Sequence, residues 1–282
     1  MNRLLSLAFL LQSLRIALPY LAATMGGIWS ERAGVVNVAL EGTMLVGALG
    51  AVAGTTLSGS AWIGLCVGLL AGVCLQLVHA VAVLYGRANA IVSGFALNLL
   101  AASGTRFLLR ALYDSASNSP STPQVLSPAL VNALVTTTVV ATVLALDKTT
   151  FGLRVRAVGE HPEAAASAGV PVLRTRFLAV ALCGACAALG GVWLAFDQKQ
   201  FSAGMSGGRG FIALAAVVVS GWRPGRAAVF CLLFGVAEAA QIALQDQRAV
   251  AHQLVQMLPY LATLIALAGW VGRTRAPAAL GK

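Results

Sequence analysis

A chain of 282 residues with 59% hydrophobic and 10% charged side chains, at a mean hydropathy of +0.84, is too apolar for a soluble domain of its size. Its net charge of +10 would suggest nucleic acid in a soluble protein, but the Lys and Arg residues collect in short stretches between apolar runs, which is a topology pattern and excludes a nucleic-acid partner. The composition predicts an all-α polytopic membrane protein, one transmembrane unit over 1–282 with about eight to ten helices, some short or broken, surrounded by membrane lipid.

Measured against the roughly 20 residues a bilayer needs, the spanning segments are 4–25, 34–56, 61–84, 89–111, 128–147, 177–196, 210–221, 227–245 and 255–271. The one at 210–221 is short. The first could pass for a signal peptide, but no small-residue cleavage site ends it, so it reads as a retained helix. If the polar stretch 148–176 is cytoplasmic and each segment crosses once, the N-terminus lies outside and the C-terminus inside. Arg3, Arg110, Lys199, Arg209 and Arg248 then fall outside, Arg15 and Arg106 fall in apolar runs, and the other twelve of the 19 Lys and Arg residues fall inside, as the positive-inside rule asks. The Ser- and Pro-rich loop 113–127 reads as a connector without chemistry. The word LPYLA occurs at 18–22 and again at 258–262, through internal duplication or through chance in a chain rich in Leu and Ala.

The stretch SERAGVVNVALEG at 30–42 is the first with polar groups at membrane depth. Ser30 can cap a helix that starts at Glu31, and Asn37 and Glu41 then stack one turn apart on one face. A carboxylate at that depth costs about 2.5–3.5 kcal/mol to insert, so Glu41 marks either a functional site or a buried pair. Arg15 is the nearest candidate partner in sequence.

In NAIVSGFALN at 89–98, Asn89, Ser93, Phe95 and Asn98 fall on or near one helical face. Amides and a ring suit a sugar or a base, and they equally suit packing between membrane helices. GMSGGRGFIALAA at 204–216 is a Gly-rich turn feeding a short apolar helix. Ser206 and Gly208 would there belong to a helix N-terminus whose free backbone donors face a polar substrate, or simply to a tight turn. Glu238 begins a polar stripe with Gln241 and Gln245, which reads as a helix interface.

The long polar interruption is KTTFGLRVRAVGEHPEAAASAGVPVLRTR, 148–176. Within it, Pro162 suits a first helical turn, Glu163 suits the positive end of the helix dipole, the alanines favour helix, and Gly169 can close it. A short amphipathic knob therefore projects from the membrane.

No G-x-x-x-x-G-K-[ST] occurs, so the chain has no such cradle for ATP. An HExxH and a nucleophile elbow are likewise missing, and His79, His161 and His252 are scattered. Catalysis by this chain alone is not expected, nor is a bound metal. Cys66, Cys74, Cys183, Cys186 and Cys231 all lie in apolar segments, and the CxxC at 183–186 reads as small core residues.

The run FGLRVRAVGEHPEAA, with Ala168, Gly169 and Val170 after it, closely resembles the cytoplasmic coupling loop of ABC-importer permeases in the simple-sugar and nucleoside branch of the branched-chain amino acid, ribose and nucleoside permease superfamily. SERxGVxNxxxEG is similar to the block that opens the second helix of nucleoside-type permeases, and GFIALAA followed by GWRPG also resembles that branch. The likeness covers most of 14–272. It implies that Gly159, Glu160, Pro162, Glu163, Ala164, Ala165 and Gly169 contact an ATP-hydrolysing subunit, which itself binds ATP and Mg, while this chain binds no cofactor. It also implies an alternating-access importer of the bacterial inner membrane, formed as a heterodimer with a second permease and served by an extracytoplasmic binding protein. Nucleosides are the expected solute, with simple sugars such as ribose or galactose as the alternative. An ion-coupled carrier would need several buried acids on broken helices, and only Glu41 and Glu238 sit clearly inside apolar runs.

Overall fold

The computed structural model describes residues 7–122, 124–245, 257, 261, 263–265, 268 and 275–281. The expected segment 255–271 lies largely outside the described residues, as does most of the second LPYLA copy. Elsewhere the segments become helices: α1 (Leu7–Arg32), α2 (Leu40–Ser58), α3 (Ala61–Ala80, continued by a π-turn through Tyr85), α4 (Ala90–Tyr113), α5 (Pro128–Lys148), α6 (Thr150–Glu160), α7 (Pro162–Ser167), α8 (Val172–Gln198), α9 (Arg209–Val219) and α10 (Pro224–Gln245). Seven of these are long and apolar enough to cross a membrane, and α9 is the short apolar helix anticipated at 210–221. The protein is an all-α multi-pass membrane protein.

Helices α1, α2 and α8 form the centre, and small residues set their spacing. A Cβ on Gly47 of α2 would come within 2.8 Å of the Ala188 backbone, and one on Gly26 of α1 within 2.7 Å of the Cys183 carbonyl. Between α2 and α3, Gly54 faces Gly64 and Gly50 faces Gly68, with ideal Cβ positions 3.0 and 3.1 Å from the opposing Cα atoms. Association between membrane helices draws little on the hydrophobic effect, so close backbone packing of this kind supplies the contact energy. Leu, Ile and Phe side chains on α3, α4 and α10 remain exposed, as expected of helices that face lipid.

Two elements are broken at depth. Residues 33–39 run non-helically between α1 and α2, and residues 199–208 do so between α8 and α9. The first break corrects the expectation of a helix starting at Glu31. Ser30 and Glu31 lie in the last turn of α1, and the Ser30 hydroxyl donates to the Val35 carbonyl at 2.9 Å instead of capping a helix start. Asn37 consequently lies off the helix that carries Glu41, so the two do not stack as successive turns of one face. The loop 113–127 is pinned to the second break: Ser119 N donates to Phe201 O at 2.8 Å, Thr122 N to Lys199 O at 2.7 Å, and Ala203 N to Ser117 O at 2.8 Å.

The polar stretch 148–176 contains two helices where one was expected. Helix α7 has Pro162 in its first turn and Glu163 beside it. It closes on Gly169 at φ +80°, with Gly169 N bonded to Ala166 O at 2.9 Å and Val170 N to Ala165 O at 3.0 Å. That bond pair is a complete Schellman closure, and the left-handed position is what glycine supplies. Ahead of it, α6 is capped by the Thr149 hydroxyl, which accepts from Gly152 N.

Candidate functional site

The two breaks meet at Glu41, in the first turn of α2. Its carboxylate accepts from the Ser206 hydroxyl at 2.5 Å and Gly208 N at 2.8 Å through Oε1, and from Gly210 N at 2.7 Å through Oε2. These are the first backbone donors of α9, where an anion is favoured by unpaired N–H groups and by the helix dipole. The approach depends on Gly210, because a Cβ there would lie 2.5 Å from Glu41 Cα. The expected free donors at the α9 N-terminus are thus occupied by a carboxylate from elsewhere in the chain. Arg15 does not take part. It pairs instead with Asp197 at the end of α8.

Glu41 sits well inside the span. It precedes the end of α2 by seventeen residues, about 25 Å of helix. Asn98, which touches the next residue Gly42, lies eight residues into α4, about 12 Å from that helix's start.

The 33–39 break is sealed by side chains. Carbonyls of Ala33, Val35, Val36 and Val38 face Arg176 Nε at 3.1 Å, Ser30 Oγ at 2.9 Å, His79 Nε2 at 3.0 Å and Asn98 Nδ2 at 2.9 Å. Asn98 Oδ1 accepts in turn from Gly42 N at 2.8 Å. Asn37 donates to Gln76 Oε1 at 2.7 Å, and Gln76 Nε2 donates to Thr43 Oγ1 at 2.7 Å. Irregular backbone within a membrane is tolerated where protein satisfies its polar groups, and here donors from α3, α4 and α8 do so.

The remaining predicted residues divide. Asn89 caps α4, accepting from Ile91 N and Val92 N, and lines a cavity of about 610 Å³ with Arg87 and Arg176. Ser93 bonds His79 Nδ1 at 3.0 Å. Phe95, half exposed, stacks on Phe211 of α9 with ring centroids 6.4 Å apart. Asn37 and Asn98 serve packing, while Glu41, Ser206 and Gly208 come together. Arg209, expected in an outer loop, is partly buried and pairs with Glu238, which also accepts from the Tyr20 hydroxyl; of the polar stripe, Glu238 thus lies at an interface of α10 with α1 and α9.

At the other end, Gly159 lies so close to Arg32 O that a Cβ would overlap it. Arg32 faces Glu160 at 3.8 Å and donates to Trp222 O at 2.9 Å, while the Trp222 indole donates to Glu31 at 2.6 Å. The tail joins them: Ala279 N donates to Gly159 O at 2.9 Å and Gly281 N to Gly34 O at 3.2 Å. Helices α6 and α7 flank an open groove of about 630 Å³ that includes Glu160, Ala164, Ala165 and Gly169. Glu163 and Ala164 are exposed, and Ala165 is buried. Sequence reasoning missed the clasp of Glu31, Arg32 and Trp222. Its signal was an acid and a base in adjacent positions beside an apolar run, read as the start of a helix when they end one.

Broken helices converging inside an all-α multi-pass bundle are an arrangement that membrane transporters use. The chain belongs to the family described as the permease component of branched-chain amino acid transport systems, whose model matches residues 9–267. It is 36% identical to the guanosine ABC transporter permease NupQ of Bacillus subtilis, over 94% of this chain and 92% of that one. It is 34% identical to the nucleoside ABC transporter permease NupC of Lactococcus lactis, over 93% and 92%, and 37% identical to a putative glucose ABC transporter permease of Haloferax volcanii, over 80% and 74%.

Proposed function

We propose that this chain is one permease subunit of an ATP-driven importer that carries nucleosides across the bacterial inner membrane. The observation that carries the solute is the similarity, along almost the whole chain, to permeases named for guanosine and for nucleosides. Simple sugars are the second reading, favoured by the likeness to the putative glucose permease.

The energy comes from a partner that hydrolyses ATP with Mg; this subunit is not the enzyme. The partner grips the knob formed by α7 and the end of α6, through Gly159, Glu160, Pro162, Glu163, Ala164, Ala165 and Gly169. A second permease, forming a heterodimer, completes the path, and an extracytoplasmic binding protein delivers the solute. What supports a mechanical role for the knob is its linkage: α6 meets Arg32 through Gly159 and Glu160, and Arg32 holds the α9 end through Trp222. Displacement of α7 is thereby carried to the end of α1 that opens the 33–39 break and, through Trp222, to the C-terminal end of α9. Alternating access then requires two arrangements of this linkage, one favoured by nucleotide on the partner.

The test is uptake into vesicles holding the whole complex, in competition with unlabelled guanosine, adenosine, uridine, ribose and galactose. Nucleosides suppress uptake if the reading is right. Suppression by the sugars alone moves the assignment to sugars, and uptake without nucleotide-hydrolysing partners removes the importer reading altogether.

A further inference from the structure

We propose that Phe95 and Phe211 form a nucleobase-stacking subsite in the translocation path, a deeper reading that rests on the nucleoside assignment above. The two rings are 50% and 42% exposed, lie 6.4 Å apart between centroids and are inclined by only 30°. They project from α4 and α9, helices that otherwise share no packed interface. Two large rings that touch each other and leave much of their surface open are not core packing.

Their surroundings separate them from the exposed Leu and Phe residues that face lipid. Phe211 lies in the first turn of α9, three residues after the end of the 199–208 break. On that break, Gly204 and Gly207 are exposed, and Gly207 lies between Ser206 and Gly208, which both bond Glu41. Non-helical backbone at membrane depth cannot face hydrocarbon; it lines protein or a water-filled cavity. Protein or water must therefore cover Gly207, and the proposed subsite places the path on this face.

The chemistry fits a base. Planar rings stack with every nucleobase whatever its hydrogen-bonding edge, which suits a carrier of several nucleosides. At a centroid separation of 6.4 Å the two rings lie within direct-contact range, so a base either stacks on their open faces or parts them. Glu41 lies one residue away along α9, bonded to Gly210 N. Three of its roughly four acceptor positions are filled by Ser206, Gly208 and Gly210, leaving one for a ribose hydroxyl. A sugar without a base would use that acceptor and leave the rings empty.

The experiment uses the full complex in proteoliposomes. Phe95→Leu and Phe211→Leu keep bulk and apolarity but remove the stacking face, and each should slow guanosine uptake about 10-fold. Phe211→Trp should restore it, and the ATPase subunit should co-purify throughout. In the unsubstituted complex, photoactivated 8-azidoadenosine should label the peptides carrying residues 95 or 211, a readout that needs no variant. Leu variants that assemble and take up guanosine at the wild-type rate overturn the subsite while leaving nucleoside import standing, as does labelling confined to other peptides. A wild-type complex that moves ribose and no nucleoside overturns the import reading, and the subsite with it.

Discussion

The two helix breaks solve the same problem by opposite means. Around 33–39, distant side chains from α3, α4 and α8 satisfy the carbonyls, and Asn37, Gln76 and His79 have no exposed surface. Around 199–208, glycine does the work. Positions 204, 207 and 208 take φ of +76°, +55° and +83°, one carboxylate collects the donors, and part of the backbone stays open. The first is a sealed joint and the second a surface. Glu41 belongs to both, leaving the joint as α2 begins and closing the N-terminus of α9.

Substitutions can break that comparison, and their expected effects on stability fall in a clear order. Asn98→Leu removes one group that serves both Val38 O and Gly42 N. Each buried orphan costs about 1–3 kcal/mol, so the joint should lose about 2–6 kcal/mol, measured by thermal unfolding in nanodiscs. Gly210→Val forces a branched side chain against the Glu41 backbone; overpacking of this kind costs about 1–3 kcal/mol, and uptake should be abolished. Glu41→Gln presents an amide donor to the α9 N–H groups, at a cost of about 1–2 kcal/mol. Here uptake should fall further than stability, because the same group is proposed to meet solute. Smallest is Glu163→Arg, an exposed position on α7 where stability should move by no more than about 0.5 kcal/mol. Co-purification with the ATPase subunit should nevertheless be lost.

Much of this contrast was legible in local sequence, and the remainder was not, for identifiable reasons. The 162–169 knob was readable because Pro, Glu, Ala and Gly each act within one turn, and all four act as expected in α7. The Gly-rich run before α9 announced a break for the same reason. The 33–39 break was hidden inside an apolar run of Val and Ala, since its carbonyls are served largely by His79, Asn98 and Arg176, tens of residues away. Arg15 misled in the same way. It was the candidate partner for Glu41 in the neighbouring segment, but the fold pairs it with Asp197, 182 residues on. Glu41 itself was recognisable as an intramembrane acid, while its partners on α9 could be known only from the fold.

The claim that the open face of α9 borders an aqueous, solute-carrying path can be measured directly with cysteine chemistry in the assembled complex lacking Cys66 and Cys74. The account predicts that Phe211→Cys reacts with a membrane-impermeant, water-soluble methanethiosulfonate, that guanosine slows the reaction, and that Val38→Cys in the sealed joint stays inert. Labelling of Phe211→Cys by a lipid-soluble maleimide alone, with no effect of guanosine, would place that face against lipid and contradict it.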